Sequence, residues 1–102
     1  MKSTFSILFY IDRSKPSGEG LCLVRCRISC NGRTASFSTR QQTSPDDWLA
    51  KKGRVGPTSA VAQGVNHALS DIEQRLNALY ERTLREERYI TAEYLKEQYL
   101  LQ

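Results

Sequence analysis

The pair Asn31-Gly32 constrains this chain more than any other two residues. A type I′ hairpin turn needs positive φ at both central residues, and Asn-Gly is the strongest short signal for it. The flanking segments, LCLVRCRISC and RTASFSTR, alternate apolar and polar residues as half-buried strands do. Fixing the turn there pairs Cys30 with Arg33, Ile28 with Ala35, Cys26 with Phe37 and Val24 with Thr39. Side chains alternate across a strand, so Cys22, Val24, Cys26, Ile28, Ala35 and Phe37 share one face. The other face carries Arg25, Arg27, Ser29, Thr34, Ser36, Ser38 and Arg40, with no acid among them.

An apolar hairpin face must be covered, and the rest of the chain supplies the cover. Phe5, Ile7, Phe9 and Ile11 alternate with Ser6, Leu8 and Tyr10. That pattern predicts a first strand whose apolar side joins the hairpin's. The stretch DRSKPSGEG (12–20) reads as a loop, which makes the three strands an antiparallel meander. Ser44-Pro45-Asp46-Asp47 has the residues of a helix start, here a single turn, with Trp48 and Leu49 folding back onto the sheet edge. Lys51 to Pro57 breaks it. Ser59 then opens a long helix, with Val61, Val65, Ala68, Leu69, Ile72, Leu76, Leu79 and Tyr80 on the buried stripe. Gln63, Asn66, Ser70, Glu73, Gln74, Asn77 and Glu81 fall on the opposite, solvated side. Thr91 caps a last short helix, with Ile90 and Leu95 at staple positions and Tyr94, Tyr99, Leu100 and Leu101 left with little to bury against. The expected fold is α+β: a three-stranded antiparallel meander packed on one face by a long helix, plus a short C-terminal helix.

At 102 residues the chain makes one domain with a modest core. No apolar run approaches the roughly 20 residues of a membrane span. TFSILFYI is not followed by a small-residue cleavage site, so the expectation is a cytoplasmic protein. The three cysteines agree. Cys22, Cys26 and Cys30 lie four apart on one strand, about 13 Å between neighbours, too far for a disulfide reach of about 7 Å. Their spacing matches no zinc site, so they read as small buried apolar residues, with Cys30 partly exposed beside the turn.

Charge is divided unevenly. Residues 1–55 hold ten Lys/Arg against four acids, and residues 56–102 hold five against seven. The net +4 thus comes from the β half, which points to a polyanionic partner. No nucleophile elbow, phosphate loop or metal cluster is visible, and His67 stands on the polar flank of the long helix, so neither catalysis nor a cofactor is expected.

A bare, basic, hydroxyl-bearing sheet face fits a DNA major groove, where alternate side chains reach base edges. Arg25 and Arg27 sit centrally, with Ser6, Tyr10, Thr34, Ser36 and Ser38 beside them as base-facing candidates. Leu8 points the same way. Lys2, Arg13, Lys15, Arg33 and Arg40 fall at sheet ends and loops, where phosphates run. Two other readings compete. A protein-interaction module would use the C-terminal apolar helix or an exposed strand edge. RNA binding ranks lower, because Tyr10 is not accompanied by a cluster of aromatics for base stacking.

Taken together, STFSILFYIDRSK, GLCLVRCRISCNGRTASFSTR, SPDDWLAKKGRV, the long helix and ITAEYLKEQY resemble, in order, one family. It is the N-terminal arm-type DNA-binding domain of tyrosine recombinases, the integrases of Bacteroides-type conjugative transposons and prophages. The resemblance implies a helix-backed three-stranded sheet that binds arm-type sites in double-stranded DNA. It implies DNA contacts around Arg25, Arg27, Ser36, Ser38 and Arg40, and accessory DNA-bending proteins as partners. It also implies that residues 1–90 form the arm-binding domain, a monomer in isolation, and that 91–102 begin the connection to core-binding and catalytic domains. None of the five tyrosines here is expected to be a recombinase nucleophile.

Overall fold

The computed structural model describes residues 4–14, 16–56, 59–86 and 89–101. Strands β1 (Phe5–Asp12), β2 (Cys22–Cys30) and β3 (Arg33–Thr43) form one antiparallel sheet in the order β1-β2-β3. Asn31 (φ 50°) and Gly32 (φ 84°) both take the positive φ of the turn. Asn31 does more than turn the chain. Its Oδ1 accepts from the Thr4 N–H at 3.1 Å, and its Nδ2 donates to the Ile90 carbonyl at 3.0 Å. The hairpin tip is thereby tied both to the start of β1 and to the approach to the last helix.

The register holds from Cys30–Arg33 through Arg25–Ser38 and then shifts. Val24 pairs with Gln41, not with Thr39 as the turn alone dictates. The irregularity lets β3 carry Thr39 and Arg40 past the ladder, with Arg40 at φ 64°. The Thr39 hydroxyl donates to the Val24 carbonyl at 2.7 Å, replacing the lost ladder bond from the buried side.

Helix α1 (Ala60–Arg85) begins at Ser59, whose hydroxyl caps the Ala62 N–H at 3.2 Å. Its buried stripe is Ala62, Val65, Leu69, Ile72, Leu76, Leu79 and Thr83. Val61, expected on that stripe, is 79 % exposed; Ala62 takes the inward position at the first turn. Thr83 is buried because its hydroxyl is satisfied within the helix, donating to the Leu79 carbonyl at 2.8 Å. Helix α2 (Ala92–Leu100) is capped by Thr91, and Ile90, Ala92 and Leu95 are buried.

Both helices lie on the same side of the sheet. Val24, Cys26, Ile28, Cys30 and Phe37 meet Leu69, Ile72, Leu76, Leu79, Ile90 and Leu95 in one core. Each fully buried leucine or isoleucine there contributes about 1.5–3 kcal/mol. Cys30 is buried, not partly exposed, because Ile90 comes back over the turn; its thiol faces the Ile90 carbonyl at 3.8 Å. Tyr99 packs on Phe37 with ring centroids 5.1 Å apart, and Tyr94 also reaches the core, so α2 uses more of its apolar residues than its sequence suggested. Leu100 and Leu101 remain exposed. Phe5 stacks on Tyr80 at 4.3 Å and closes the core at the far end of β1.

The segment after β3 departs most from expectation. Ser44 caps a 3₁₀ turn at Pro45–Asp47. The next residues form a second, two-stranded hairpin, β4 (Trp48–Leu49) and β5 (Arg54–Val55), instead of a broken loop. Trp48 and Val55 join the core, while Leu49 stays exposed. The polar side of α1 is what receives this hairpin. Asn66 accepts from the Val55 N–H at 2.8 Å and donates to the Val55 carbonyl at 3.0 Å, as a neighbouring strand would. Arg54 bonds Glu73 at 3.0 Å and Ser70 at 3.4 Å. Asn66, Ser70 and Glu73 are therefore packing residues, not members of a purely solvated face.

Candidate nucleic-acid interface

Alternation in three registered strands places one residue of each strand in successive rows across the uncovered face. The rows are Ser6–Ser29–Thr34, Leu8–Arg27–Ser36, Tyr10–Arg25–Ser38 and Asp12–Leu23–Gln42. All seven base-facing candidates, Ser6, Tyr10, Arg25, Arg27, Thr34, Ser36 and Ser38, stand on this face. Neighbouring rows are about 7 Å apart, the repeat of two residues along a strand. β2 shows the division most clearly. Its even-numbered residues are buried against the helices, and Leu23, Arg25, Arg27 and Ser29 on the opposite side are exposed or half-buried.

The centre of the face is organised around Tyr10. The Arg27 guanidinium lies over its ring, 5.1 Å from the centroid. Such a contact is worth about 0.5–1 kcal/mol at an exposed site and holds a long side chain in one orientation. A hydrogen bond from Ser36 lowers the Tyr10 phenol below its usual range, and Arg25 and Arg27 act in the same direction against the opposing effect of desolvation. Tyr10 thus links the two central arginines to the hydroxyl of β3. The face has one acid once β1 is included: Asp12, at its outer end, accepts from the Ser14 N–H at 2.9 Å.

The phosphate candidates are more dispersed. Arg13 is exposed just beyond β1. Arg40 is exposed at the irregularity of β3, with its N–H donating to the Ser38 hydroxyl at 3.1 Å. Arg33 pairs with Cys30, so it leaves the sheet on the helix side, at the end of the face instead of on it. Lys2 and Lys15 lie outside the described residues.

Sequence reasoning left two features of this surface without a role. Leu8, 47 % exposed, sits in the same row as Arg27, where an apolar side chain can meet a thymine methyl. Lys51 and Lys52 stand in the turn of the β4–β5 hairpin. A four-residue stretch ending in Gly53 between Trp-Leu and Arg-Val was the signal for that hairpin. Among the described residues there is no group of three or more His, Cys, Asp or Glu able to hold a metal, and no helix long and apolar enough to cross a membrane.

The sheet thus has one side packed by helices and the other bearing arginines and short hydroxyls. The chain belongs to the arm DNA-binding domain family, whose model matches residues 9–96. The match covers all three strands apart from the start of β1, the second hairpin, α1 and part of α2. The family is one of DNA-binding domains. Comparison with curated proteins and with solved structures returned no match.

Proposed function

We propose that this chain is the N-terminal module of a phage- or transposon-type tyrosine recombinase and binds arm-type sites by laying its open sheet face in the major groove. Arg25 and Arg27 are the central base readers, each able to pair its fork with O6 and N7 of guanine. Thr34, Ser36, Ser38, Ser6 and Tyr10 meet bases or adjacent sugar-phosphate. Arg13 and Arg40, with Lys2 and Lys15, contact phosphates and set the register. Arg33, on the helix side, is a weaker member of that set. Binding by this module assists assembly of integration and excision complexes with DNA-bending proteins. The chemistry belongs to core-binding and catalytic domains of the parent protein, connected through α2.

One observation carries this reading: both helices pack on the same side of the sheet, so among the described residues no helix covers the arginine-bearing side. A proton–nitrogen NMR titration tests it, using duplexes selected from a randomised pool by the full chain. Shifts in the rows from Ser6 to Ser38 are expected, while α1 stays unshifted. Unmoved signals for Arg25, Arg27 and Ser36 to Ser38 at low salt would sink the proposal. Arg25→Ala or Arg27→Ala should cost about 1–3 kcal/mol and relax the base preference at one position.

A further inference from the structure

We propose that the β4–β5 turn is a second duplex contact, in which Lys51 and Lys52 hold the phosphate backbone along the β1 side of the groove. The proposal rests on the open face being the duplex-binding surface.

Position is the first argument. The hairpin abuts β1, an outer strand of the sheet. Phe9 Cβ is 3.8 Å from where a side chain on Gly53 would begin. A crevice of about 160 Å³ separates hairpin from strand, with Ile7 and Leu8 on one wall and Lys51, Lys52 and Arg54 on the other. Leu8 belongs to the open face and shares a row with Arg27. The two lysines therefore stand at the β1 rim of that face, with Leu8 between them and Arg27.

Width is the second. Strands lie about 4.8 Å apart, so β1 and β3 are about 10 Å apart. The major groove is about 12 Å wide. Three strands fill it, and whatever flanks an outer strand meets the phosphates of the groove wall. On the β3 side Arg40 is placed for this. On the other side β1, FSILFYID, contains no lysine or arginine. Arg13 stands only at its end, and the β4–β5 turn supplies cations alongside the strand itself.

Anchorage and charge complete the case. Arg54 joins Glu73 at 3.0 Å, bonds the Gly53 carbonyl at 2.8 Å and lies over the Phe9 ring at 5.2 Å. Asn66 fixes Val55 on the other side of the hairpin. Arg54 is thereby engaged within the protein, and it occupies Glu73, the acid lining the crevice. Among the described residues neither lysine takes part in an ion pair. The backbone of the turn is already held, so only the two exposed lysine side chains must be ordered on meeting a phosphate, and a point charge suits an oxygen that carries no sequence.

The test compares the full chain with the double variant Lys51→Ala, Lys52→Ala on a random-sequence 20-base-pair duplex and on the pool-selected duplex. The slope of log K against log salt should become shallower by about 1–2, at about 0.9 per phosphate contact. Affinity should fall about tenfold at physiological salt, by the same factor on both duplexes. Lys51→Arg with Lys52→Arg should keep the original slope. In the unaltered chain, the amide signals of Lys51 to Gly53 should shift on adding either duplex. An unchanged slope in the alanine variant, unshifted turn amides, or a loss limited to the selected duplex overturns the lysine contact. If Arg25→Ala still weakens binding in that case, the open-face reading survives alone. A full chain that binds neither duplex at low salt ends both.

Discussion

Tyr10 shows how a single residue can organise a surface. It sits on the outer strand, yet its ring orients Arg27 and its hydroxyl faces Ser36 and Arg25. Its phenol is held below the usual value of 10.0 first by the Ser36 hydrogen bond and then, after desolvation opposes it, by the arginines. A phenol whose folded value is depressed contributes stability that is fully present above its unfolded value and is lost as pH falls through the folded one. The ionisation of Tyr10 therefore leaves neutral-pH stability unchanged, and its phenol serves as a reporter of the arrangement. Ultraviolet titration of the five phenols should show one ionising ahead of the rest. Tyr10→Phe should abolish that early phase, and Ser36→Ala should move it upward. An early phase that survives Tyr10→Phe would contradict the arrangement.

At the scale of elements, the second hairpin is the least autonomous part of the fold. Two residues per strand cannot stand alone. Asn66 and Arg54 dock it on α1, and Trp48 and Val55 sink into the core. Asn66→Ala leaves the buried Val55 without its side-chain partners, which should cost about 1–3 kcal/mol in a denaturant unfolding curve. The same variant should speed hydrogen exchange in residues 48–56 while sparing β2. If the lysine contact holds, it should also weaken duplex binding without altering base preference. The main hairpin was legible in the sequence because its turn and alternation are local. The second was not, because Lys51-Lys52-Gly53 resembles a simple break until α1 lies beside it.

The whole molecule is a sheet and two helices sharing one core, and Cys26 is near its centre. Burial, with Glu73 adding to it, raises the Cys26 thiol from 9.0 to about 12. Here the sign is opposite to that of Tyr10. A raised folded value contributes stability that is fully present below pH 9 and is lost as pH climbs toward 12. Denaturant midpoints should fall across that window, and Cys26→Ala should flatten much of the fall. Below it, alkylation of Cys26 should wait for global unfolding, since the thiol is buried and protonated. Rapid labelling of the native chain at neutral pH would show that the core opens far more readily than its packing implies.

Sequence by itself determined the three long strands, both helices and the two-faced sheet: the Asn31-Gly32 turn, the alternation of β1 to β3, the caps Ser59 and Thr91, and the grouping of Arg25 and Arg27 with short hydroxyls. These follow from φ preference and from periodicities of two and about 3.6, which neighbouring residues encode. Only the tertiary structure decided the shift at Thr39 and Arg40, the burial of Cys30 beneath Ile90, the exchange of Val61 for Ala62, and the docking of the second hairpin. Each depends on contacts between residues distant in the chain, such as Asn66 with Val55 or Asn31 with Ile90. Local pattern says which side of a strand is apolar; it takes the packed partner to say which polar group must satisfy which backbone.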